Sequence, residues 1–134
     1  MQELQLSAGT LEYEDSGGDG PVLVLTHGLV MDGSVWRDVV ADLRSDYRCV
    51  LPTLPLGAHR RPMREDAQLR GFERPALVAW AAEDRIMPRE HGRRLAELLP
   101  LGRLVEIEDS YTLIPQDQPA ALARRIREFV EATR

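Results

Sequence analysis

Val22-Leu23-Val24-Leu25-Thr26-His27-Gly28-Leu29-Val30-Met31-Asp32-Gly33-Ser34-Val35-Trp36 is the stretch that decides the fold. Val22 to Leu25 is a short, β-branched apolar run bounded by Gly20-Pro21 and His27-Gly28, the pattern of a strand buried on both faces. Beyond it, Trp36, Val39, Val40 and Leu43 recur at i, i+3, i+4 and i+7, which predicts an amphipathic helix with Ser34 as its N-cap. A buried strand feeding a helix is half of a βαβ unit, so the expected class is α/β.

Working outward towards the N-terminus, Leu4 to Leu6 and Leu11 to Tyr13 alternate apolar and polar residues about Ser7-Ala8-Gly9-Thr10, which predicts an edge hairpin with one solvated face. The glycine cluster Ser16 to Gly20 contains neither GxGxxG nor GxxxxGK[ST], so it carries no phosphate-binding signal. On the other side, Arg48 to Leu51 reads as a second strand. It holds the single cysteine, Cys49, expected as a buried structural thiol with no intrachain disulfide. Gly57 to Arg74 sets five arginines against Glu65, Asp66 and Glu73 with little apolar periodicity, and reads as a linker. Pro75 to Ala82 and Arg103 to Ile107 are further strands, separated by a helix with Leu95, Leu98 and Leu99 on one face and Pro100 closing it. Leu122, Ile126, Phe129 and Val130 define a closing helix with Pro119 suited to its first turn.

At 134 residues a single domain, 1–134, is expected. The net charge of −5 is modest, and its 17 basic residues, all arginine, are scattered among acids, so nucleic acid is not an expected partner. Met1-Gln2-Glu3-Leu4-Gln5 lacks a basic n-region and an apolar h-region, and a soluble cytoplasmic protein with no membrane partner is expected. No His, Cys, Asp or Glu spacing suggests a metal, and no cofactor is expected.

Four motifs, each at a strand end, together resemble the α/β-hydrolase fold family. His27-Gly28 is similar to its oxyanion loop, where the backbone N–H of Leu29 would help hold a developing oxyanion. Leu54 to His59 looks like a variant of the Asp-x-Pro-Gly turn, with Thr53 in place of the acid. Glu83 to Pro88 resembles the acid-bearing loop, with Asp84 matching the triad acid, and Asp109 to Pro119 resembles the final catalytic loop, with Thr112 where the histidine would stand. The resemblance spans two blocks, 5–63 and 69–130, joined by the Arg-rich interval of about 57–74, and the nucleophile elbow Gly-x-Ser-x-Gly and the cap are missing between them. It implies a reduced, mostly parallel sheet with an N-terminal antiparallel hairpin and flanking helices, in the order hairpin, Arg48 strand, Val22 strand, Pro75 strand, Arg103 strand.

Triad chemistry needs a nucleophile, an imidazole base and an acid that orients it. The elbow is absent, and a threonine hydroxyl does not replace imidazole as a base near neutral pH. The five serines read as structural: Ser7 and Ser16 in turns, Ser34 as a cap, Ser45 at a helix end and Ser110 in the last loop. His27, at the C-terminal edge of the central strand where α/β sheets bind ligands, either meets a ligand or orders the oxyanion loop with Gly28 and Leu29. His91 reads as a helix-surface residue and His59 as part of the linker. Two functions are therefore open: a non-hydrolytic pseudoenzyme acting as a small-molecule or partner-binding scaffold, or an enzyme on a small, ester-like organic substrate that uses His27, Asp84 and Thr112. Loss of the cap and flanking helices should uncover the central strands, so a homodimer is expected, with exchange of the C-terminal block as an alternative arrangement.

Overall fold

The computed structural model describes residues 1–6, 9–28, 31–54 and 71–134. The chain divides into two compact units, Met1–Asp66 and Ala67–Arg134, and the division falls inside the interval that composition marks as a linker. Most of that interval, His59 included, and Ser7 and Leu29 lie outside the described residues.

In the first unit β1 (Gln2–Leu6) and β2 (Gly9–Asp15) form the expected hairpin, with Leu4 opposite Leu11. β2 also pairs antiparallel with β4 (Arg48–Thr53), which carries β3 (Val22–Val24) in parallel on its far side, giving the order β1-β2-β4-β3. The connection from β3 to β4 runs through a 3₁₀ turn, Gly33–Trp36, and α1 (Arg37–Leu43). Of its apolar stripe, Val39 and Leu43 are fully buried and Trp36 and Val40 half-buried, packed with the fully buried Cys49 and the buried Leu51, two apart on β4. The turn packs closely on the sheet at Gly33, where an added Cβ would lie 3.1 Å from Leu51 Cβ. Burial pushes the Cys49 thiol up, away from the reactive thiolate, and its backbone is tied to Ser16 at both ends.

Two expectations for this unit are corrected. Ser34 is not the cap: Asp32 Oδ1 accepts the Ser34 N–H at 2.8 Å, because a carboxylate reaches the amide two residues on and starts a 3₁₀ turn before α1 begins. β3 is not buried on both faces, with Val22 59% and Val24 62% exposed. The cause is topological. β3 pairs with β4 alone among the described residues, so within the sheet of the first unit it is an edge strand rather than a central one.

The two inner strands, β2 and β4, are tied at one end by an ion pair between Asp15 and Arg48, with Nε 3.0 Å from Oδ1. The Arg48 guanidinium, helped by the Gly17 N–H, brings the Asp15 carboxyl down from 3.8 to about 2. A lowered carboxylate contributes stability above its unfolded pKa, and that contribution disappears as the pH falls through the folded value. Acid titration by circular dichroism should therefore show a constant stability gap between wild type and Asp15→Asn above about pH 4, closing towards about pH 2. A gap unchanged across that range would mean the pair is not formed.

The second unit is built on a two-stranded parallel sheet, β5 (Ala76–Ala81) and β6 (Gly102–Ile107), in register from Ala76 opposite Gly102 to Ala81 opposite Ile107. α2 (Arg89–Leu98) makes the crossover, and Gly92 lets it lie against Trp80, where a Cβ would be only 2.7 Å from the indole. Arg89 grips Glu106 of β6 through Nε and Nη2, one to each carboxylate oxygen. α3 (Ile114–Asp117) and α4 (Pro119–Glu131) follow, with Pro119 in the first turn and Leu122, Ala123 and Ile126 buried as the periodicity requires. His91 is exposed on α2. No described helix is long and apolar enough to cross a membrane.

Candidate functional site

In the first unit, His27 sits just beyond β3 and is 8% exposed. Its Nε2 lies 2.7 Å from the Leu54 backbone nitrogen, and its Nδ1 lies 2.7 Å from the Gly28 carbonyl oxygen. An amide can only donate, so Nε2 is the bare acceptor nitrogen and Nδ1 carries the hydrogen given to Gly28. The ring thus spans two strand-end segments, one leaving β3 and one leaving β4. Both nitrogens are spent on main chain, and neither is left for a substrate proton. Gly28 itself has open space where a Cβ would go.

In the second unit, the loops at the C-terminal ends of β5 and β6 are joined by three neighbouring contacts. The Glu83 carboxylate accepts the Ser110 N–H at 3.0 Å, and the Glu83 N–H donates to the Ser110 carbonyl at 3.1 Å. Asp84 Oδ1 accepts from the amides of Ile86 and Met87 at 2.9 Å each, and from the Thr112 hydroxyl at 3.0 Å. Arg85 stacks over the Tyr111 ring, 5.3 Å from its centroid. Asp84 and Thr112 are therefore brought together, as a carboxylate holding a hydroxyl that lies exposed at the loop surface.

Ser110, two residues before Thr112, is 0% exposed, and its hydroxyl donates to the Ile107 carbonyl at 2.5 Å. It closes the end of β6 and offers no accessible nucleophile. Further holds on this loop come from Asp117, which accepts the Tyr111 N–H at 2.8 Å, and from Gln118, which donates to the Asp109 carbonyl at 3.0 Å. Asp109 adopts φ 52°, a left-handed conformation that aspartate tolerates in tight turns. Glu83, Asp117 and Gln118 were not among the residues that the sequence marks as functional. Only the Glu83-Asp84 acid pair after an apolar strand carries a local signal. Among the described residues no group of three or more His, Cys, Asp or Glu is placed to hold a metal.

No protein-family model matches the chain. Among solved structures it is similar to a thermophilic esterase from Thermogutta terrifontis, with a TM-score of 0.70 at 15% identity over 99% of each chain. It is also similar to a CIB-like hydrolase from Thermoplasma acidophilum, with a TM-score of 0.67 at 12% identity over 98% of each chain. The chain has the α/β-hydrolase fold. In sequence the chain is similar to the uncharacterized hydrolase YugF of Bacillus subtilis, 36% identical over 73 residues, which are 54% of this chain and 27% of that protein. A pimeloyl-[acyl-carrier protein] methyl ester esterase of Vibrio atlanticus is 36% identical over 73 residues, covering 51% of this chain and 28% of the esterase. The chain thus spans little more than a quarter of these two relatives.

Proposed function

We propose that this α/β-hydrolase-fold chain does not perform serine-triad hydrolysis and acts as a pseudoenzyme, a scaffold that binds a small organic molecule or a partner. The observation that carries this is the Asp84–Thr112 hydrogen bond: the carboxylate that would orient an imidazole instead holds a hydroxyl, which does not take a proton near neutral pH. Complete burial of Ser110 and the main-chain engagement of both His27 nitrogens support it. Under the same proposal the protein is cytoplasmic, binds neither nucleic acid nor membrane, and forms a homodimer.

The second reading, an enzyme on an ester-like substrate using His27 and Asp84, draws on the esterase names of its relatives. One experiment separates the two. A fluorophosphonate probe is expected to leave all five serines unlabelled, and turnover across a broad ester panel should be the same in wild type and Asp84→Asn within a few-fold. In a working triad, loss of the acid costs about 10⁴ in turnover. A serine adduct, or a drop of that size in Asp84→Asn, would establish the enzyme instead.

A further inference from the structure

We infer that His27 is a proton-operated latch between the backbone leaving β3 and the backbone leaving β4. The imidazole can accept the Leu54 N–H only while Nε2 is bare. The imidazolium has a hydrogen on both nitrogens, so protonation sets an N–H against the Leu54 N–H and that contact must open. The Gly28 side is unaffected, because Nδ1 donates to the Gly28 carbonyl in either form.

Among the described residues, a charged group that interacts with the ring is on a third segment. Asp32, at the entry to the 3₁₀ turn, feels the charge of His27. Its own carboxyl is held below the usual range by the Ser34 side chain and N–H, so it stays anionic through mild acid. The second neighbour, Leu54, contributes an amide and no titratable group. Acidification thus exchanges one partner for another: the ring gives up Leu54 and turns its charge towards Asp32, while Gly28 remains held. Histidine is the side chain whose charge ordinarily changes between about pH 5 and 8, and a ring bonded to main chain at both nitrogens converts that change into backbone release. The latch depends only on residues of the first unit, and it holds whether or not the protein proves to be an enzyme.

The test is amide exchange and ¹⁵N spectroscopy on the full chain. At about pH 8 the His27 ring should show the tautomer with hydrogen on Nδ1. On lowering the pH to about 5, the Leu54 amide, corrected for its intrinsic exchange rate, should lose protection by about tenfold, the equivalent of one hydrogen bond. In His27→Gln, whose amide oxygen accepts at every pH, Leu54 protection should stay flat within about twofold. If that variant fails to fold, the wild-type data decide: loss of protection must follow the His27 ring signals through the same midpoint. A ring with hydrogen on Nε2 at pH 8, Leu54 protection that ignores His27 protonation, or an equal loss in a folded His27→Gln would each overturn the latch.

Discussion

Alanine at Gly102 is expected to destabilise the second unit by about 3 kcal/mol or more, enough to consume much of a small unit's stability. Gly102 opens β6 immediately after α2, and its N–H donates to the Leu99 carbonyl at 3.0 Å. A Cβ there would stand 2.3 Å from the Ala96 carbonyl oxygen, 2.9 Å from Leu99 Cβ and 3.1 Å from the Ala96 carbonyl carbon. Two of these atoms are helix backbone and cannot swing aside as a long side chain can. Relief requires α2 to lose its last turn or β6 to shift its register against β5, and either disturbs the pairing from Ala76–Gly102 onward. Gly28→Ala is the control, since nothing lies within 4 Å of its added Cβ, and it should change stability by less than about 0.5 kcal/mol. Thermal melts of the two variants beside wild type decide the matter. Equal melting temperatures would mean that the close approach of α2 to β6 is wrong.

The elements of this fold were legible because each is written in local periodicity. The strands at Arg48, Pro75 and Arg103 and the stripes Val39-Leu43 and Leu122-Ile126 are recovered to within a residue or two. What was not legible is whatever depends on distant cover. Val22 to Leu25 has the same composition whether helices and strands flank it or not, so the sequence cannot reveal that β3 is an edge with two valines in solvent. The same holds for His27. Its partners are a main-chain carbonyl and a main-chain amide, and every residue after Met1 except proline carries an amide of that kind, so no side-chain pattern announces Leu54. Asp84 and Thr112 could be placed in neighbouring loops from the order of motifs, but their hydrogen bond, and the part of Glu83 in closing the same loops, needed coordinates.

The edge at β3 leads to the second large effect, self-association. Pro21 and Leu25 bond to β4, so the alternating groups of Val22 and Val24 point outward from the sheet. An exposed strand edge recruits another strand. A second copy is suited to it because Val22 and Val24 flank Leu23 symmetrically: a two-fold axis at Leu23 would set Val22 of each chain opposite Val24 of its partner and pair the N–H and C=O groups that point away from β4. The valines add apolar area, but the contact is far smaller than the roughly 800 Å² per partner of a standard interface, so the association should be weak and strongly concentration dependent. Light scattering over a concentration series should rise from 15.1 kDa towards twice that mass. Val24→Arg, at a position already open to solvent, should hold the mass at 15.1 kDa throughout while leaving the fold intact. A dimer that survives dilution and ignores Val24→Arg would indicate exchange of the C-terminal block instead. A wild-type chain that stays at 15.1 kDa at every concentration and binds no hydrophobic dye would refute both arrangements.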